Sequence, residues 1–98
     1  MEIYLRIYEI RPGEMDAWLE EWRAHVLPLR RRLGFNVLGA WASEEASTFT
    51  WLLGYDDPDG FESANAAYYA SPERAELDPD PARHIAAARQ LPVRALEL

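Results

Sequence analysis

Cysteine is absent from the 98-residue chain. That excludes a disulfide framework, a thiolate metal site and a cysteine nucleophile. Histidine occurs only twice, at His25 and His84, and scattered acids complete no metal-ligand spacing, so no metal is expected. No apolar run approaches the roughly 20 residues of a membrane span. The opening Met-Glu-Ile-Tyr-Leu-Arg has neither the basic region nor the apolar stretch of a signal peptide, and cytoplasm is the expected compartment. Basic charge is scarce, 10 residues against 17 acidic, for a net charge of −7. Such a balance repels phosphate backbones and anionic lipid, so neither nucleic acid nor membrane is expected as a partner. A Gly-rich phosphate loop and a nucleophile elbow are also missing.

What is present is a folding pattern. Hydrophobic residues make up 49% and charged residues 28%, which separates the chain from disordered compositions. The length is that of one domain, residues 1–98, able to bury roughly 65% of its unfolded surface. Residues 3–10 alternate, Ile3, Leu5 and Ile7 on one side and Tyr4, Arg6, Tyr8 and Ile10 on the other, which predicts a strand. Arg11-Pro12-Gly13 stops it. From Glu14 the period changes: Met15, Trp18, Leu19, Trp22, Val26, Leu29 and Leu33 form one helical stripe. Pro28 falls inside that run and predicts a kink. Arg30-Arg31-Arg32 reads as the basic end of the helix and Gly34 as its left-handed stop.

Residues 35–43 and 48–55 read as two strands of an antiparallel hairpin. Asp57 and Pro58 predict a helix entry, and Ser71-Pro72 a second one. Asp78-Pro79-Asp80-Pro81 predicts a loop. Residues 82–90 read as helix, with His84 at the surface, and residues 91–98 as a last strand. The order is βαββαβ. The fold class is therefore α+β, ferredoxin-like, a four-stranded antiparallel sheet with helices on one face.

The helices leave the other sheet face open. We expect Ile3, Leu5 and Ile7 to meet the helices, and Tyr4, Arg6, Tyr8, Phe49, Trp51, Leu53 and Tyr55 to occupy the open face. The aromatic set looks too bulky to lie beneath Trp18 and Trp22, and Gly54 would let that helix approach the opposite face. An exposed aromatic patch of several hundred Å² is unusual on a monomer. A homodimer with its sheets face to face is the expected answer.

The residues also carry a resemblance. Tyr4-Leu5-Arg6-Ile7-Tyr8 with Arg11-Pro12-Gly13, then His25-Val26-Leu27-Pro28-Leu29 running to Leu33-Gly34-Phe35, resemble NIPSNAP-family domains. Leu53-Gly54-Tyr55-Asp56-Asp57 and Ser71-Pro72-Glu73 are similar to later signposts of that family. The resemblance covers nearly the whole chain and implies a face-to-face dimeric α/β barrel. Its wider relatives include cofactor-free antibiotic-biosynthesis monooxygenases, small isomerases and haem enzymes. The chain departs from the family's His-x-Trp, which falls on Trp51 and Leu53 here.

Chemistry centres on a few residues. Arg6, mid-strand between two tyrosines, needs an acceptor once buried. That acceptor is either Glu97 or an acid of a second copy, or an anionic oxygen of a substrate. Tyr4 and Tyr8 either pack or handle a ligand. His25, at the edge of the helical stripe, is either a half-buried histidine or a general base. Trp51, Phe49 and Tyr55 offer flat surfaces to an aromatic ligand. A haem would need His25 or His84 as axial ligand, and no cofactor is expected. The expectation is thus a small-molecule-binding barrel, monooxygenase- or isomerase-like, acting on an apolar or aromatic enolisable substrate. Arg6, His25 and Tyr8 would be catalytic, and Tyr4, Trp51, Phe49 and Tyr55 would bind substrate. The alternative is a non-catalytic ligand-binding or assembly module.

Overall fold

The computed structural model describes residues 1–98. Strand β1 (Glu2–Ile10) runs through the middle of the sheet because it pairs on both sides. Its neighbours are β3 (Thr48–Tyr55) and β4 (Ile85–Val93), both antiparallel, with Leu5 opposite Leu52 and Leu91. Strand β2 (Asn36–Ser43) extends the sheet beyond β3, giving the order β2-β3-β1-β4. This is the ferredoxin-like arrangement that the βαββαβ order implies. The domain is a slab, 39 × 39 × 19 Å, two layers thick.

The helical layer begins with α1 (Met15–Glu21), passes through a π-helical turn (Trp22–Val26) and ends in α2 (Leu27–Arg32). The expected kink at Pro28 takes this form. Pro28 cannot donate to the ladder, and the preceding turn widens so that the Leu27 N–H reaches the Trp22 carbonyl. Gly34 stops the helix at φ 96°, and Phe35 N–H returns to the Arg30 carbonyl at 3.0 Å. Helix α3 (Phe61–Ala70) starts later than Asp57 suggests. Asp57 closes a turn onto Asp59 N–H at 3.0 Å, and Glu2 receives the Phe61 N–H at 2.9 Å. Ser71 does cap the short α4 (Pro72–Ala75), accepting from Arg74 N–H. No helix is long and apolar enough to cross a membrane.

Two expectations are corrected. Residues 82–90 are not helical. A single 3-10 turn (Pro81–His84) leads into β4, whose alanines pair with β1, Ala88 opposite Tyr8. The alanine run favours helix locally, and pairing along the free edge of β1 overrides it.

The second correction concerns the faces. Tyr4, Arg6, Tyr8, Phe49, Trp51 and Leu53 lie beneath the helices, not on the open face. Tyr4 packs at a tilt against Phe61 at 4.2 Å, and Tyr8 meets Trp18 edge-on at 5.7 Å. Trp22 meets Phe49 and Trp51 edge-on at 5.1 and 5.5 Å. These T-shaped contacts let two bulky sets share one layer. The room at Gly54 is taken from the other side, by Met1 and Leu38. Ile3, Leu5, Ile7 and Leu52 therefore face away from the helices. Around them lie Leu91, Val93 and Trp41, whose indole lies across Gly39.

Candidate functional site

Alternation along β1 points Arg6 and Tyr8 to the same inner face, where both are buried. Directly across on β4, Gln90 accepts from Arg6 Nε at 2.6 Å. Helix α3 passes above and contributes Asn65 and Tyr69, one turn apart on one face. Arg6 Nη1 donates to the Tyr8 and Tyr69 phenols at 3.2 and 3.1 Å, and Nη2 donates to Asn65 Oδ1 at 3.1 Å. Four of the five guanidinium N–H groups are thereby used, leaving one on Nη2. No carboxylate lies within 4 Å of Arg6. Glu97, the acid foreseen for it, is in the exposed terminal stretch.

A second buried cation shares this network. Arg30, from the last turn of α2, donates Nη1 to the same Asn65 Oδ1 at 2.9 Å. Its guanidinium lies over Tyr68 at 3.6 Å and over Phe35 at 4.7 Å. It is 1% exposed and also lacks a carboxylate partner. Burial, reinforced by repulsion from Arg6, lowers the Arg30 pKa to about 10. Burial works against the charge of Arg6 too, but the phenols of Tyr8 and Tyr69 outweigh it and hold its pKa above the ordinary value. Burial also pushes the Tyr69 phenol up. The cations Arg6, Arg30 and Arg74 outweigh that and bring it below the usual tyrosine range.

This polar cluster borders open space. A groove of about 440 Å³ runs along the inner side of β4, walled by Arg6, Tyr8, Tyr69, Gln90 and the small side chains Ala86, Ala87 and Ala88. The helices sit over β1 and β3, and edge-strand alanines leave the room beside them. Such a concave, mostly apolar space with a few convergent polar groups is the usual form of a small-molecule site.

The structure brings together Arg6 and Tyr8 from the set foreseen, with Trp51 close by. Tyr4 and Tyr55 stand apart, packed at a tilt against Phe61 and Phe35. Phe49 is 1% exposed, packed among Trp18, Trp22 and Tyr8. His25 lies in a separate recess with Glu21, Glu76, Asp78 and Arg83, away from Arg6. Arg30, Asn65, Tyr69 and Gln90 were not foreseen, since each carries an ordinary structural reading in the sequence. His84 is a further correction: it is buried, with its ring nitrogens 2.7 Å from Glu14 and Glu21. Both nitrogens are thus engaged, and the ring offers none to a haem.

The NIPSNAP family model matches residues 1–95. No curated protein matches the sequence. A NIPSNAP domain protein from Burkholderia xenovorans superposes with a TM-score of 0.83 at 15% identity, covering 98% of this chain and 95% of its own. A NIPSNAP family protein from Agrobacterium tumefaciens gives 0.83 at 19% identity, covering 98% and 86%. A structure described as an antibiotic biosynthesis monooxygenase gives 0.70 at 16% identity, covering 99% and 100%. At these identities the neighbours share a fold, while the family model spans nearly the whole sequence, and on that ground the chain belongs to the NIPSNAP family.

Proposed function

We propose that this protein is a small enzyme that moves a proton on an enolisable carbonyl compound with an apolar body, bound in the groove beside β4. One observation carries the reading: Arg6 is a buried cation without a carboxylate partner, hydrogen-bonded to a tyrosine of lowered pKa, at the wall of a groove. The substrate carbonyl oxygen takes the remaining Nη2 N–H of Arg6. The Tyr69 phenolate removes a proton from the adjacent carbon. The C–H electron pair moves into the carbon–carbon bond and the carbonyl pair onto oxygen, where Arg6 stabilises the enolate charge. Delivery of that proton from Tyr69 to the enolate oxygen, rather than back to the carbon it left, gives the enol and completes a keto–enol isomerisation. Addition of dioxygen to the same enolate would begin with the same proton removal. The fold neighbours described as antibiotic biosynthesis monooxygenases support that extension. Tyr8 accepts from the same Nη1 and holds Arg6 in place.

The test uses phenylacetone, a neutral aromatic ketone, incubated in D2O. The protein should accelerate loss of its α-proton NMR signals well above buffer. Arg6→Met and Tyr69→Phe should each remove about ten-fold or more of that acceleration. An exchange rate equal to buffer at saturating protein would sink the proposal.

We further propose that a second copy of the chain covers the open sheet face, now through Ile3, Leu5, Ile7, Leu52 and Leu91 rather than through the aromatic set. The apolar character of that face supports it.

A further inference from the structure

Beneath the groove lies a second, smaller space of about 30 Å³, with Tyr8, Tyr69, Ala82 and Ile85 as walls common to both. Its other walls include Trp18, Arg30, Trp51 and Arg74. Each of these four carries a buried N–H donor without a protein acceptor: Trp18 Nε1, Arg30 Nε, Trp51 Nε1 and Arg74 Nε. Only one other side chain of the molecule has such a donor, Trp22. No acidic residue lines the chamber or the groove. In a chain of net charge −7, two cations thus wall one small recess: Arg30, bonded through Nη1 to Asn65, and Arg74, whose Nη2 meets Asp80 at 2.8 Å, each keeping an Nε–H without an acceptor.

Unpaired buried donors are costly, and buried cations more so. Both are relieved by an anion with several acceptor lone pairs. The volume admits about two water-sized positions, which is the size of the two oxygens of one carboxylate. We infer that the inner chamber is a carboxylate site. The ligand is a small organic acid, its head held by Arg30 and Arg74 and by the indole N–H groups, its apolar body in the groove along β4. Asn65 already ties Arg30 to Arg6, so the head lies next to the carbonyl position beside Arg6. The substrate class narrows to short oxo acids. The inference rests on the proposed proton-transfer function only in seating the ligand's body in the same groove.

Phenylacetate and phenylacetamide differ only in the head and separate the two ideas. Tryptophan fluorescence is the readout, because Trp18 and Trp51 line the chamber. Phenylacetate should shift it saturably, with phenylacetamide at least about ten-fold weaker. Arg30→Met and Arg74→Met should each weaken phenylacetate binding by a similar factor, and Arg30→Lys should restore part of it. If Arg30→Met does not fold, the acid–amide comparison and Arg74→Met still decide. Equal binding of acid and amide would overturn the inference. So would phenylacetate binding that depends on Arg6 but is indifferent to Arg30 and Arg74. Arg6-dependent exchange of phenylacetone without any binding of phenylacetate would remove the carboxylate site and leave the proton-transfer reading standing. Phenylacetate binding with no exchange of phenylacetone would do the reverse.

Discussion

Arg30 shows how far one residue can stand against stability. Its pKa, lowered from 12.5 to about 10, corresponds to a destabilisation of roughly 3 kcal/mol at neutral pH, diminishing only above that value. Stacking on Tyr68 and Phe35 returns about 2 kcal/mol. An apolar side chain of similar length would fill the space without the charge. Arg30→Met is therefore expected to be unchanged in stability, or up to about 2 kcal/mol more stable, in urea denaturation at pH 7. A loss of more than 2 kcal/mol would show the guanidinium to be structural. Tyr69 makes the complementary point. Its pKa is below the ordinary 10 because Arg6, Arg30 and Arg74 outweigh the desolvation of its hydroxyl, although the side chain as a whole is 51% exposed. As the base, it acts when deprotonated, so proton exchange should rise with pH and reach half its limit below pH 10. Tyr69→Phe should lose that rising limb altogether. A profile that Tyr69→Phe leaves unaltered would remove the tyrosine from the chemistry.

At the scale of elements, polar contacts to α1 join the buried Pro81 in holding the turn before β4. His84 bridges Glu14 and Glu21, and Arg83 meets both oxygens of Glu21 at 2.7 and 2.9 Å. Arg83 foremost, with His84 behind it, holds the Glu21 carboxyl below its usual range, against a smaller opposing effect of burial. A carboxyl with a lowered folded-state pKa contributes stability above its unfolded pKa, near 4.5, and loses it as pH falls through the folded value. Glu21→Gln should thus be destabilising at pH 7 and converge with the parent chain at pH 3, as read from urea midpoints. A difference that stays constant over that range would place the effect elsewhere. None of this clasp was legible in the sequence. Glu14, Glu21 and His84 are 70 residues apart at the extremes, and no local spacing links them. The strand order was legible because period-two and helical patterns are local. The alanine-rich β4 was not, because its pairing partner decides its conformation. The same divide runs through the site. Arg6 and Tyr8 declare themselves by alternation on one strand. Arg30 looks like any cation at a helix end until packing turns it inward onto Asn65.

For the whole molecule, the decisive feature is a slab only 19 Å thick with one apolar side uncovered. Strands of eight and nine residues at about 3.3 Å per residue and four strands about 4.8 Å apart give an open face of roughly 400 Å² in plan, more as accessible surface. Leu5, Leu52 and Leu91 lie abreast at its centre, and Trp41, 58% exposed, lies toward one edge. A stable homodimer buries about 800 Å² per partner. The sheet face supplies roughly half, so edge residues and the exposed apolar terminus at Leu96 and Leu98 must add to it. At about 25 cal/mol per Å² of apolar area, a face on which Arg89, Thr48 and Thr50 stand beside the leucines yields less than about 10 kcal/mol per partner before the cost of association. A two-fold pairing of the two sheets is the arrangement this supports. Sedimentation equilibrium at micromolar concentration should show a dimer. Leu5→Lys would seat a charge on each side of the paired centre and should shift the species to monomer. Because the groove and Arg6 lie on the opposite face, that monomer should retain phenylacetone exchange. A parent chain that sediments as monomer would leave the open face without its proposed cover. A Leu5→Lys monomer that loses exchange would show that the groove depends on the second copy.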